Sequence, residues 1–342
     1  MTATVLFDGS VLDASITGVG RAFLDTLAAY GPRSTSRCVL LVRRELDLSL
    51  LPPLPEVEVR AVIPRGRWGR LLALRAAARE HRAALLHSAV TAMPLRVACP
   101  MVASVHDLPW RDRALLGEPG ARRRRRLALA LAAHSAAALV VPSRSTRDAL
   151  LREHPGTTPR VHIIPHGVAP PAPDPTAVAD QPPAGGPLLV IGDDRPRKNL
   201  TRVQAAHELA RHRLPDLPEL RHIGPPDDYV SEAEKWRLLR TARGLLHFSL
   251  LEGFGLPVLE AFAVGTPVAC SDRGSLPELA GDAALVADPT DLEAMAAAII
   301  TLHGDEQRRR ELRRCGLQRA AEFTTERSAE GWLQLHRSLA HV

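Results

Sequence analysis

LLHFSLLEGFGLPVLEAFAVGTPVACS, residues Leu245–Ser271, holds one complete strand–helix–strand unit. The apolar run Leu245–Phe248 is too short for a helix and reads as a buried strand. Gly253 and Gly255 make a tight loop, Pro257 suits a first helical turn, and Pro257–Val264 continues as helix. Pro267–Cys270 is a second short apolar run. In this order the three pieces form a parallel βαβ unit.

The same alternation runs outward in both directions. Upstream, Val5–Phe7, Cys38–Val42, Val57–Val62, Leu85–His87, Val102–Val105, Leu139–Val141 and Val161–Ile164 read as strands. Helices are expected between them, notably at Arg21–Ala29, Leu71–His81 and Arg124–Ala137. Pro, Gly and Asp crowd Pro165–Pro187 so densely that neither element can persist there. Beyond it come strand Leu188–Ile191, helix Leu200–Arg213, a strand-like run at Leu220–Ile223, and helix Asp291–His303. Trp332, Leu335 and Leu339 fall at helical spacing in the tail. The expected organisation is therefore a domain over 1–165, a linker over 166–187, a second α/β domain over 188–322 and a closing helix over 323–342. At roughly 150 residues per domain, 342 residues also suit two cores.

Composition narrows the class. A hydrophobic share of 45% with 24% charged residues is ordinary globular usage and excludes disordered or fibrous chains. The net charge of +6 permits anionic partners without naming one. Only two of the 44 basic residues are lysines, Lys198 and Lys235, and both stand out against the arginine background. Cys38, Cys99, Cys270 and Cys315 are too scattered for a zinc site, so a reducing, cytoplasmic setting is expected. No signal peptide is visible, and Leu127–Val141 is too short to span a bilayer. Arg122–Arg126, entering an apolar helix, could touch an anionic membrane surface from the inner face or be a solvated face. Aromatics at 4% leave few stacking platforms, so nucleic acid is not an expected partner.

Open parallel sheets bind ligands beyond the carboxyl ends of their strands, which fixes where to look. Four stretches lie there. In DGSVLDASITGVGR, Gly18 and Gly20 leave backbone N–H groups at a helix start, an anion site or simply a turn. In VASVHDLPW, His106 ends a strand beside Asp107, able to donate to a sugar hydroxyl or to serve as a core histidine. Arg195, Arg197 and Lys198 of IGDDRPRKNL follow a strand and precede a helix, a placement suited to a diphosphate. In EGFGLPVLE, Glu252 lies in the loop and Glu260 one turn into the helix, where carboxylates can accept bonds from vicinal hydroxyls.

Glu252 and Glu260 form an E-x(7)-E pair, followed by GTPV at Gly265–Val268 and PE at Pro277–Glu278. With ITGVGR (Ile16–Arg21), VHDL (Val105–Leu108), VPSRSTRDAL (Val141–Leu150), IPHGV (Ile164–Val168) and PRKNL (Pro196–Leu200), this resembles the retaining glycosyltransferases of family 4, mannosyltransferases among them. The resemblance implies the α/β GT-B fold: two Rossmann-like, doubly wound domains facing across a cleft, with the last helix crossing back to the first domain. It implies a GDP-, UDP- or dTDP-sugar donor on the second domain and a hydroxyl acceptor on the first. Lys198 and Arg197 would contact the diphosphate and Glu260 the ribose hydroxyls. Glu252 and the backbone of Phe254, Gly255 and Leu256 would hold the donor sugar, with His106 reaching that sugar from the first domain and the Gly18–Gly20 loop lying near the phosphates. Neither metal nor other cofactor is expected. The implied product is a hexose on a lipid-linked saccharide or polysaccharide. A soluble metabolite as acceptor, or sugar-nucleotide binding without catalysis, are the alternatives. Family members usually carry a further strand and helix between the PRKN-type and EGFG-type motifs, whereas about fifty residues separate Lys198 from Glu252 here.

Overall fold

The computed structural model describes residues 2–12, 16–94, 97–109, 115, 120–171, 186–225 and 228–340. It forms two compact units: Met1–Leu108 with Gly120–Gly167 and Thr324–Val342, and Pro109–Pro119 with Val168–Phe323. Most of the expected linker, residues 172–185, lies outside the described residues.

The first unit runs β1 (Thr4–Asp8), α1 (Gly18–Tyr30), β2 (Arg37–Arg43), β3 (Val57–Ile63), α2 (Arg67–Glu80), β4 (Leu85–Ser88), β5 (Met101–Ser104), α3 (Ala121–Ser135), β6 (Ala138–Val141), α4 (Arg144–Glu153) and β7 (Val161–Ile163). Its parallel sheet has the order β3-β2-β1-β4-β5-β6-β7. Every residue of β1, β4, β5 and β6 is buried. Such strands are apolar runs without alternation because helices cover both faces. The order reverses between β1 and β4, where Arg70 of α2 pairs with the buried Asp8 and donates to Ser10 Oγ at 2.7 Å. The arginines 122–126 lie inside α3, which starts three residues earlier than expected because arginine is itself a good helix former.

The second unit runs β8 (Leu188–Ile191), α5 (Leu200–Arg213), β9 (Leu220–Ile223), α6 (Glu232–Thr241), β10 (Gly244–His247), α7 (Leu256–Ala263), β11 (Val268–Ser271), α8 (Leu276–Ala280), β12 (Ala284–Ala287), α9 (Leu292–Gly304) and α10 (Glu306–Ala320). Its parallel sheet has the order β12-β11-β10-β8-β9. Successive strand residues serve opposite layers, as the period of two requires. Leu188, Val190 and Leu246 pack with α5 and α9, while Leu189 and Leu245 pack with α6, α7 and α8.

The chain's last helix, α11 (Thr325–Ala340), belongs to the first unit. Ala329, Trp332, Leu333 and Leu335 join Phe7, Phe23 and Tyr30 in that unit's core. Both units are thus the doubly wound α/β type expected.

Candidate active site

In the second unit the strand order reverses between β8 and β10, hydrogen-bonded neighbours whose carboxyl ends carry IGDDRPRKNL and HFSLLEGFG. A crevice opens beyond parallel strands at such a reversal, because their connections leave to opposite sides. Here the chain gathers its charged side chains. Lys198 Nζ lies 2.7 Å from Glu252 Oε1, and Arg197 donates to Glu252 Oε2 at 3.4 Å. His247, the last residue of β10, lies 3.1 Å from Oε1 through Nε2. Arg197, Lys198 and Glu252 side chains are only 9–11% exposed.

Local backbone explains this convergence. Gly192, just after β8, has a φ of +149°, and Lys198 passes so close that a Cβ there would lie 3.2 Å from its Cε. Asn199 caps α5 in the left-handed region, and its Nδ2 donates to the carbonyls of Phe248 and Pro289 at 3.0 and 2.8 Å. Leu250 N donates to Arg197 O at 2.8 Å, tying the two loops together. Behind Glu252, Gly274 at φ +63° leaves 2.6 Å between its would-be Cβ and the Glu252 carbonyl, which Ser275 Oγ also meets at 3.1 Å. A side chain at 274 would therefore push on the acid's own backbone.

The electrostatics follow from burial and pairing. Burial alone would raise the Glu252 carboxyl, but Lys198, His247 and Arg197 outweigh it and hold the group well below the usual carboxylate range. Burial pushes His247 down, so it stays neutral and its Nε2–H donates to Glu252. Two cations against one carboxylate leave the cluster net positive. Asp193 is also held low: burial raises it, and Arg195, Arg197 and Lys198 more than offset that. A cavity of about 10 Å³, bordered by Gly192, Asp193, Lys198, His222, His247 and Ser249, adjoins the group. Such a site can hold an anion and stabilise negative charge developing on it.

Gly255, at φ +103°, opens α7, with Phe254 packed edge-on to Phe323 at 5.8 Å and Leu256 partly buried. One turn into α7, Glu260 is 8% exposed and meets Lys235 Nζ at 2.7 Å. The arrangement therefore brings Arg197, Lys198 and Glu252 together, and places Glu260 on the helix following the same loop.

The first-unit candidates have internal partners. His106 Nε2 donates to Ala89 O at 2.9 Å, leaving Nδ1 to accept from His166 Nε2 at 3.3 Å, with the rings stacked. Both nitrogens of His106 are thus engaged, and burial lowers its pKa. Gly18 and Gly20 lie in the first turn of α1, but Thr17 Oγ1 accepts from Gly20 N at 3.3 Å. The expectation of open amides is corrected at Gly20: the capping threonine occupies the donor, and the missing side chain makes room for Ile16 and Leu12. Residues 13–15 of that loop lie outside the described residues.

Two contributors escaped the sequence. In the sequence His247 reads only as part of a strand; its sign is a polar residue closing an apolar run, five before Glu252. The other is α6, in the stretch between Asn199 and Ser249 where the only further strand-like run in the sequence is Leu220–Ile223. Ser231 accepts from Glu234 N at 3.2 Å, a capping pair legible as S-x-x-E.

Residues 41–170 match the family model of glycosyltransferase family 4, and residues 228–319 match glycosyl transferases group 1. O-antigen chain mannosyltransferase B of Escherichia coli is 36% identical over 167 residues, 41% of this chain and 43% of that protein. The chain spans 43–65% of the length of the first curated relatives it matches. Among solved structures, sucrose-phosphate synthase of Thermosynechococcus elongatus superposes with a TM-score of 0.76 at 19% identity, covering 98% of this chain and 99% of that one. HepE of Anabaena, in complex with UDP and glucose, gives 0.73 at 18% identity over 98% and 100%. At these identities the structural likeness speaks for the GT-B architecture.

Proposed function

The chain belongs to glycosyltransferase family 4, with the GT-B fold, and on that premise we propose that it transfers a hexose from a nucleotide sugar to an acceptor hydroxyl with retention at the anomeric carbon. The observation that carries this is the cluster of Lys198 and Arg197 on Glu252 at the β8/β10 reversal. Breaking the donor's glycosidic bond leaves negative charge on the diphosphate and positive charge on the sugar ring. Buried cations fixed before the reaction stabilise the first, and a buried carboxylate balances the second, without reorganisation during the step. Lys198 and Arg197 supply the charge that a divalent metal supplies elsewhere, so activity should survive a chelator.

No carboxylate in the cluster is free of cations to attack the sugar, which favours front-face displacement. The acceptor oxygen bonds to the anomeric carbon on the face the diphosphate leaves, and the acceptor proton passes to the departing phosphate oxygen. Glu260, on α7, would accept from the ribose hydroxyls. The mannosyltransferase relative that builds O-antigen chains supports a lipid-linked saccharide or polysaccharide as acceptor.

A thermal-shift screen against UDP-, GDP-, dTDP- and ADP-sugars, followed by proton NMR of the product, tests the reading. One nucleotide series at 100 times its Kd should add about 2.7 kcal/mol of stability, lost in Glu260→Ala. The product should keep the donor's anomeric configuration. An inverted anomer would sink the mechanism, and indifference to every donor would sink the activity.

A lipid-linked acceptor goes with membrane contact through Arg122, Arg123, Arg124, Arg125 and Arg126. Arg123, Arg124 and Arg126 are exposed at the start of α3, and Leu127 beside them is 53% exposed. Among the described residues no helix is long and apolar enough to cross a membrane. Sedimentation with phosphatidylglycerol vesicles should therefore be strong at low salt and weaken several-fold when the Debye length shrinks to ~3 Å at 1 M. Binding unchanged by salt, or absent, would remove this part of the proposal.

A further inference from the structure

Lysine is rare here, two of the 44 basic residues. Lys198 belongs to the cluster already described; Lys235 does not. It lies on α6, only 14% exposed, with its ammonium 2.7 Å from Oε1 of both Glu260 and Glu232 and 5.3 Å from the Trp236 ring centre. The two acids are not equivalent. Glu232 is one turn back on the same helix and 37% exposed, so that contact needs only helical geometry. Glu260 is 8% exposed and comes from α7, so the lysine must extend inward, across the interface between the two helices, to reach it.

Charge at such a site is costly unless paired. The Lys235 ammonium supplies such a pairing to the Glu260 carboxylate and fixes which oxygen is left for other donors. An ammonium is also a compact point charge, able to bind one carboxylate oxygen without spanning both as a guanidinium fork does. We infer that Lys235 is a positioning residue for the donor's ribose: its ammonium fixes the Glu260 carboxylate in one rotamer, and thereby sets a preference for ribonucleoside over 2′-deoxyribonucleoside diphosphates. This rests on the reading of Glu260 as the ribose acceptor.

The discriminating experiment is isothermal titration of the full chain with UDP, GDP and ADP, and with the 2′-deoxy form of whichever binds tightest. Wild type should favour the ribo form by about tenfold or more, the worth of one bond to a charged acceptor. In Lys235→Met the ribo form should weaken about tenfold and the deoxy form less than twofold, bringing the ratio near one. Should that variant not fold, Lys235→Gln keeps a donor without the charge and should cut the ratio at least about threefold. A purely structural tie between α6 and α7 would lower the melting temperature while leaving the ratio at its wild-type value, and that result overturns the inference alone. Titration with dTDP, itself a 2′-deoxyribonucleotide, separates the two readings: dTDP binding tighter than all three ribonucleotides overturns this inference alone, and failure of wild type to bind any of the four overturns the donor reading and this inference with it.

Discussion

Glu252 is the residue on which most of the site's electrostatics turn, because it is buried, ionised and shared. Lys198, Arg197 and His247 converge on its two oxygens, so each of the four is held in place by the others. Removing one charge of such a pair leaves the other uncompensated in the interior, at a cost of ~3–5 kcal/mol, whereas removing both costs far less. Glu252→Gln leaves two buried cations without their carboxylate and should melt earliest, Lys198→Met leaves Arg197 paired with Glu252 and should lose less, and the double variant, which removes one of the two cations, should recover part of the Glu252→Gln loss. The checks are denaturant unfolding of all four proteins and turnover under saturating donor. Turnover should fall on the order of a hundredfold or more in both singles and should not recover in the double, because the double regains folding but not the cation. Additive stability losses would mean that the two groups do not sense each other.

At the scale of elements, the first unit holds a buried polar line across four segments. Tyr30 of α1 lies 2.9 Å from His336 Nδ1 of α11; His336 Nε2 lies 3.1 Å from His87 Nδ1 of β4; His87 Nε2 lies 3.2 Å from Ser104 Oγ of β5. With the Tyr30 hydroxyl donating, each ring donates through Nε2 and accepts through Nδ1, so the line is satisfied only while both histidines are neutral. Burial lowers His87 to about 3 and puts His336 well below its ordinary value. Nearby His166, half-buried, falls to about 3 for the same reason, loss of solvation. Depressed native values mean that the unfolded chain takes up these protons first. Stability is therefore complete above the unfolded histidine pKa of ~6.5 and declines as pH falls below it, by up to ~1.4 kcal/mol per pH unit for each histidine. Glu252 adds its own loss only below its ordinary carboxylate value, so the fall between pH 6.5 and about 5 belongs to the histidines. Urea midpoints measured across that interval should drop steadily, and His336→Phe should flatten the slope. An unchanged slope would show that His336 titrates normally.

At the scale of the whole molecule, chain order and spatial order part company. The first unit's sheet begins at Thr4, yet its core contains Trp332, whose ring lies 4.5 Å from His87 and stacks on Phe7 at 6.1 Å. Burial of Trp332, Leu333 and Leu335 contributes ~1.5–3 kcal/mol for each side chain, together comparable with a domain's whole net stability of ~5–15 kcal/mol. A fragment ending at Phe323 should therefore lose the cooperative unfolding of its first unit while the second, whose core it retains, still melts. Calorimetry resolving both transitions would check this, and an undisturbed first transition would refute it. How far all this was legible follows from the same division between local and distant. Period and punctuation are local properties, so the βαβ alternation, the doubly wound class, and the placing of Lys198 and Glu252 beyond strand ends could be read from the order of residues alone. The lysines also stand out there as unusual, since rarity is a matter of counting. Helix α6 was hidden because its apolar stripe is short and lies in a polar segment, although its capping pair was there to be read. Partnership came only with the folded chain: that Glu252 answers to His247, that Lys235 reaches Glu260 rather than solvent, and that Thr17 occupies the amide of Gly20. Each depends on the distance between side chains brought together by strand order and backbone geometry, and a buried charge is governed by the groups within a few ångströms of it, wherever they stand in the chain.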